Sequence, residues 1–158
     1  MTKTKKSSKG PTGFHQVVTA DGSSSFKAEA GRYHLYVSHA CPWAHRTTMM
    51  RKLKGLEDAI SLSIVKRKAG EVGWHFIEDC PDPNGGRQSL REVYLETAKD
   101  FAGTVSVPVL YDKVTKKIVN NESSEIIRIF NKEFNAFAST PECACRPSAF
   151  NALLTFPF

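Results

Sequence analysis

The amino-acid sequence predicts an α/β fold, a mixed four-stranded sheet covered by three helices. Three observations predict it. An aromatic, β-branched stretch at Tyr33–Val37 runs into a segment opened by Pro42 and rich in helix formers, with a second β-type stretch after it. Two further β-type stretches flank a short turn segment at residues 112–116. A last segment holds Ile126, Ile127, Ile129 and Phe130 where one helical face would bury them. Two strands around a helix favour parallel pairing by a right-handed crossover, and two strands around a turn form a hairpin. Layering helices on both is the economical way to bury that much apolar surface.

Each element follows from its residues. Tyr33–Val37 alternates as a strand, and the turn Ser38-His39-Ala40-Cys41 follows it. Pro42 suits a first helical turn, where its missing N–H costs nothing, and Gly55 ends a helix running to about Leu56. Ile60–Val65 is the second strand. Residues 66–88 carry Gly70, Gly73, Pro81, Pro83, Gly85 and Gly86 and form a long loop, a common place for function. Ser89 caps a helix through Leu90, Val93, Tyr94 and Ala98. Val105–Tyr111 and Lys117–Asn120 complete the sheet, and Asn121 or Glu122 opens the last helix. Residues 1–30, rich in Lys, Ser, Gly and Thr, are expected to form a flexible basic lead-in. Residues 31–137 form the folded domain, and 138–158 a divergent, unstructured or loosely packed tail interrupted by Pro141 and Pro147.

Bulk composition narrows the function classes. The chain has 158 residues and a formal net charge of +6, but Lys3, Lys5, Lys6 and Lys9 supply four of the positive charges. A solvated basic arm accounts for the balance, so no nucleic-acid partner is inferred from it. No apolar run reaches the length a membrane helix needs. The basic, polar start is not a secretory signal, which favours a reduced cytoplasmic setting for Cys41, Cys80, Cys143 and Cys145. Cys143 and Cys145 stand one residue apart, not two, and no metal site is expected.

Cys41 carries the chemistry. At a strand end before a helix, unpaired N–H groups and the helix dipole favour thiolate over thiol, with His45 and Arg46 close by. The alternative is a buried apolar cysteine. The C-x-x-C partner position holds Ala44, so the thiol needs an external thiol to resolve a mixed disulfide. Val107-Pro108 enters a strand where a cis bond would offer the Val107 backbone to an extended peptide; an ordinary edge proline is the alternative. Glu122 and Ser123 open the last helix, either to bind a carboxylate or an ammonium or as a plain cap.

The run Cys41-Pro42-Trp43-Ala44-His45-Arg46 resembles the active-site turn of the glutathionyl-hydroquinone reductases, the xi-class, omega-like glutathione transferases. Residues 73–76 (GWHF), 105–113 (VSVPVLYDK) and 118–128 (IVNNESSEIIR) resemble the same family, and the likeness covers about residues 12–137. It implies a thioredoxin-like, glutathione-binding domain with catalytic Cys41. It also implies glutathione contacts from Trp74, Arg91, the Val107 backbone with Pro108, Glu122 and Ser123; a core aromatic is the alternative for Trp74. Glutathione is implied as co-substrate, glutathionylated quinols as partners, and a homodimer for the full-length family. The family's larger C-terminal helical domain, with its hydroquinone-binding tyrosines, is expected to be missing from this chain. A non-catalytic glutathione-binding or regulatory fragment is therefore the alternative to an enzyme. The apolar group Phe150, Leu153, Leu154, Phe156 and Phe158 is expected to seek cover on the exposed surface.

Overall fold

The computed structural model describes residues 12–67 and 73–142. The expected features at residues 1–11, at Gly70 and over 143–158, including Cys143, Cys145 and the apolar group after Ala149, lie outside the described residues. In chain order the elements are β1 (Val18–Thr19), β2 (Phe26–Lys27), β3 (Tyr33–Val37), α1 (Pro42–Leu53), β4 (Ile60–Ile64), α2 (Leu90–Thr97), β5 (Val109–Asp112), β6 (Lys117–Asn120) and α3 (Ser123–Lys132). A single 3-10 turn, Asn135–Phe137, follows α3.

The main sheet runs β4-β3-β5-β6. β3 pairs parallel with β4 and antiparallel with β5, and β5 pairs antiparallel with β6. This is the expected mixed four-stranded sheet with three helices, a thioredoxin-like domain. On one face Tyr33 meets Phe134 edge-on, where the chain leaves α3, and α1 packs against α3. On the other face Tyr36 and Tyr111 lie under Phe76, Asp82 and Arg87 of the loop before α2.

Element ends follow local chemistry. α1 stops at Leu53 instead of Leu56 because the chain closes on Gly55 at φ +60. There Gly55 N–H donates to the Lys52 carbonyl and Leu56 N–H to that of Arg51, the paired bonds of a Schellman motif. A Cβ on Gly55 would run into Ser139. α2 opens on a capping box made by Ser89 and Glu92. β5 begins at Val109 instead of Val105, since Pro108 has no N–H to give the ladder. The preceding Ser106 bonds the Tyr94 hydroxyl instead, through both its N–H and its carbonyl.

The described part of the lead-in corrects the expectation of flexibility. Residues 14–16 pair along the outer edge of β6, with Gln16 N–H donating to Val119 O and Asn121 N–H to Phe14 O. Phe14 stacks on Phe101 and meets Tyr94 edge-on, while Val18, Phe26 and Ala28 are buried. An edge strand is thus covered and its polar groups paired. The start of the expected loose tail also differs. Lys54, fully buried, donates to Asn135 Oδ1 (2.6 Å) and to Pro141 O (2.8 Å), and Thr140 Oγ1 donates to Leu53 O. The segment through Pro141 thereby satisfies carbonyls at the α1 C-terminus.

An ion pair with a fully buried carboxylate sits at the end of β5. Arg32 grips Asp112 through Nε (2.9 Å) and Nη2 (2.8 Å), and Thr115 Oγ1 and Val114 N–H also donate to that carboxylate. Burial pushes the Asp112 carboxyl up, but these donors outweigh it and hold it below the usual range. A group held low in the folded state adds stability above its unfolded value, about pH 4, and loses it as pH falls through the folded value. Arg32→Met strands the Asp112 charge and is expected to cost about 3 kcal/mol in urea unfolding at neutral pH. On the acid side the variant's deficit should shrink, because protonation relieves the stranded carboxylate; a deficit independent of pH would contradict this account.

Candidate functional site

The sheet order brings the end of β3 beside the start of β5. Cys41 sits at the N-cap of α1 in an extended conformation, with Pro42 next, and its N–H donates to Ser38 O (3.1 Å). Its side chain makes no cap bond to the helix. Instead Sγ lies 3.4 Å from the carbonyl oxygen of Val107. The Val107-Pro108 peptide bond is cis, and Val107 is only 5% exposed. Cys41 itself is partly exposed, so it is not the fully buried apolar cysteine of the alternative reading.

Two cavities follow one another along residues 105–108. The first, about 290 Å³, is lined by Trp43, Arg46, Val107, Pro108, Glu122 and Ser123, with Ser106 and Asn121 behind. Arg46 donates to Ser123 Oγ from Nε (3.0 Å) and Nη2 (2.5 Å), reaches Glu122 Oε1 at 3.6 Å and lies over the Trp43 ring at 4.7 Å. Burial pushes the guanidinium down from its ordinary value, opposed by the charge of Glu122. Glu122 caps α3 by accepting from Ser124 N–H (3.0 Å). Burial pushes its carboxyl up, but bonds from Ser124 and Ser123 and the Arg46 charge outweigh it and hold it below the usual range. This cavity therefore presents both a carboxylate and a guanidinium, a match for a zwitterionic group.

The second cavity, about 590 Å³, holds Trp74 and Arg91 together with Arg67, His75, Ser89 and Val105. Arg67 stacks over Trp74 at 4.9 Å. Trp74 is pinned by its carbonyl, which accepts from Leu90 N–H at the start of α2. None of the described lining residues is acidic, so the cavity suits a carboxylate.

The structure lines one cavity with Val107, Pro108, Glu122 and Ser123, sets Cys41 Sγ against the carbonyl of Val107, and places Trp74 and Arg91 in the second cavity. Sequence reasoning missed Asn121, whose Oδ1 accepts from Phe14 N–H and whose amide N–H groups reach Tyr94 and Ser106 hydroxyls. It also missed Arg67, and it gave Arg46 to the thiol, whereas Arg46 is engaged with Ser123 and Glu122. The repeat Asn120-Asn121 before the helix cap was the available signal, since paired Asn side chains bridge turns. Among the described residues no group of three or more His, Cys, Asp or Glu is placed to hold a metal ion, and no helix is long and apolar enough to cross a membrane.

A small mixed sheet with one cysteine at a helix N-terminus, facing the residue before a cis-proline, defines a thioredoxin-like thiol domain. Residues 40–133 match the family model of the glutathione S-transferase N-terminal domain. A glutathionyl-hydroquinone reductase, PcpF of Sphingobium chlorophenolicum, is 49% identical over 121 residues, 75% of this chain and 39% of that protein. A solved xi-class glutathione transferase from Natrialba magadii superposes with a TM-score of 0.77 at 52% identity, covering 81% of this chain and 41% of the other. The glutathione-bound structure of YqjG, a transferase homologue from Escherichia coli K-12, gives 0.74 at 48%, covering 78% and 43%. The chain belongs to the glutathione S-transferase family through this N-terminal domain, and the relatives it resembles are xi-class and omega-like transferases. It spans about two fifths of the length of these relatives.

One measurement separates the two described cysteines. The N-terminal partial charge of α1 favours negative charge developing on Cys41, whereas Cys80 Sγ already accepts from Ile64 N–H (3.3 Å) away from any helix start. Peptide mass spectrometry of an iodoacetamide time course at neutral pH is expected to show Cys41 alkylated at least about tenfold faster than Cys80. Equal rates would contradict the role assigned to the helix terminus.

Proposed function

We propose that this chain carries out glutathione-dependent thiol transfer at Cys41, reducing glutathionyl-hydroquinones to hydroquinones through a glutathionylated cysteine. The carrying observation is the placement of Cys41 Sγ against the Val107 carbonyl, in a stretch whose residues 106–108 line a two-signed cavity and whose residues 103–105 line a basic one. Glutathione has complementary ends. Its γ-glutamyl ammonium and carboxylate would meet Glu122 and the Arg46–Ser123 pair, and its glycine carboxylate would meet Arg91 beside Trp74. Its cysteinyl backbone would pair with Val107 as an added extended strand. That bound form of the relatives' ligand is named for the Escherichia coli protein, which supports the reading here.

The chemistry then follows in two displacements. The Cys41 thiolate attacks the sulfur of a glutathionylated hydroquinone. The sulfur–carbon bond breaks, the ring carbon keeps the electron pair and takes a proton, and Cys41 is left in a mixed disulfide with glutathione. A second glutathione thiolate attacks the glutathione sulfur of that disulfide, releasing oxidised glutathione and the Cys41 thiolate. No neighbouring cysteine intervenes, since position 44 is Ala.

A non-catalytic glutathione-binding role has one observation in its favour: Trp43, Met49 and Leu53 are each more than 40% exposed along α1. Apolar side chains so arranged can serve association without turnover. Incubation with oxidised glutathione distinguishes the readings. The mixed disulfide is expected at Cys41 by intact-mass analysis and is lost in Cys41→Ser; its absence from the unsubstituted chain would overturn the thiol-transfer reading. Glu122→Gln, which removes the charge facing the ammonium, is expected to weaken glutathione binding about tenfold by calorimetry.

A further inference from the structure

Behind the Val107 segment stands a buried phenol that the proposed chemistry does not use. Tyr94, on α2, is fully buried, and its ring is seated between Phe14 (5.7 Å, edge-on) and Phe101 (4.7 Å, tilted). Its hydroxyl donates to Ser106 O (2.9 Å) and accepts from Ser106 N–H (3.3 Å) and from the Asn121 amide (3.2 Å). Asn121 is itself fixed: its Oδ1 accepts from Phe14 N–H (2.8 Å), and its backbone N–H donates to Phe14 O (3.1 Å). The lead-in, α2 and the approach to α3 thus converge on one oxygen, and that oxygen holds both backbone groups of Ser106.

Ser106 in turn sets Val107. The two share a trans peptide, which is planar, so its C=O and N–H point in opposite directions. With the Ser106 carbonyl held toward the Tyr94 hydroxyl, the Val107 N–H is turned away from it. An extended peptide that pairs with Val107 needs that N–H as well as the Val107 carbonyl. We infer that Tyr94 is a positioning residue for glutathione: its hydroxyl, bonded to both backbone groups of Ser106, aims the Val107 N–H at the peptide that carries the reacting sulfur. The inference rests on thiol transfer at Cys41 and adds to it a residue that lines neither of the two cavities assigned to glutathione. Its contribution is pre-organisation. The pairing group is held before the ligand arrives, so less ordering is lost on binding. Disulfides that carry a peptide gain from this, and disulfides without one do not.

The test compares two disulfides on the full chain: oxidised glutathione, and hydroxyethyl disulfide, which has no peptide. With each, the Cys41 thiolate attacks one sulfur, the S–S bond breaks, and the other sulfur leaves as a thiolate with the electron pair. Rates at Cys41 are read by peptide mass spectrometry at subsaturating disulfide, with Cys41→Ala as the blank. Tyr94→Phe removes the hydroxyl and keeps the ring. It is expected to lower the glutathione-to-hydroxyethyl rate ratio roughly three- to tenfold. Thr97→Val is the structural control. On the same helix it removes a hydroxyl that accepts from Ile118 N–H (2.9 Å) of β6, and it is expected to leave the ratio unchanged. No preference for glutathione in the unsubstituted chain, a ratio unchanged in Tyr94→Phe, or a ratio lowered equally in both variants overturns the positioning role. Should Tyr94→Phe not fold, amide hydrogen exchange followed by NMR on the unsubstituted chain gives the answer. Ser106 N–H is expected to be protected before glutathione is added, and Val107 N–H only afterwards; Ser106 exchanging at an unprotected rate overturns the role. A Cys41 that takes up neither disulfide in the unsubstituted chain overturns thiol transfer and the positioning role together.

Discussion

The antiparallel register between β3 and β5 decides where the chemistry of this domain sits. Tyr36 stands opposite Val109. Five residues after Tyr36 the chain reaches Cys41, and two residues before Val109 it passes Val107. The pairing thus delivers a helix N-terminus and an unladdered carbonyl to one point. A slip of one residue would invert every side chain of β5 across the sheet. Leu110 would leave the face it shares with Leu35, and Tyr111 the face it shares with His34. The site therefore inherits its precision from packing on both faces of two short strands, not from its own loops.

The second face of the sheet explains how a long loop can hold a cavity-lining tryptophan, Trp74. Arg87 joins three elements: it donates to Asp82 (2.7 Å) in the loop, to Glu96 on α2 and to the Tyr111 hydroxyl on β5. Tyr36 donates its hydroxyl hydrogen to the same Asp82, and Asn84 donates to Tyr36. Buried charges of this kind add little net stability over an apolar core, but they are costly to mispair. Their effect is to allow one seating of residues 76–88 over the sheet, and Trp74 is carried just upstream of it. His34 lies on that same face with its Nδ1 bonded to Ser61 and its other nitrogen without a partner, and burial pushes it down to about 4. It stays neutral and serves packing against Tyr36.

Most of this architecture was legible because the signals were local. Pro42 after a strand, Ser89 three residues before Glu92, and Ile126/Ile127 with Ile129/Phe130 each name an element from within a few residues. The lead-in was not legible, because Phe14, Val18, Phe26 and Ala28 follow no period: Phe14 packs on Tyr94 and Phe101, more than 75 residues away, and Val18 and Phe26 pair only through the two-residue strands β1 and β2. The same holds for Arg46 and Arg67. A sequence gives their charge, whereas the partner that claims each guanidinium, Ser123 for one and the Trp74 ring for the other, is set only by folding.

The Val107 carbonyl couples binding to reactivity. In the unliganded domain it is the atom nearest to hand for the Cys41 thiol hydrogen, at 3.4 Å. An extended peptide that adds itself alongside Val107 needs that same oxygen for one of its own N–H groups, and backbone N–H is the stronger donor of the two. Seating the peptide therefore displaces the thiol from its acceptor and leaves the sulfur facing the N-terminus of α1, whose partial positive charge favours an anion there. Ala44 stands at the C-x-x-C partner position, so under the proposed thiol transfer an external thiol must complete the cycle, and this arrangement would expose the sulfur when the peptide carrying that thiol is seated. One carbonyl oxygen would thus have two competing claimants, and under the proposed function the peptide that resolves the competition is the one that the charged cavities are proposed to hold.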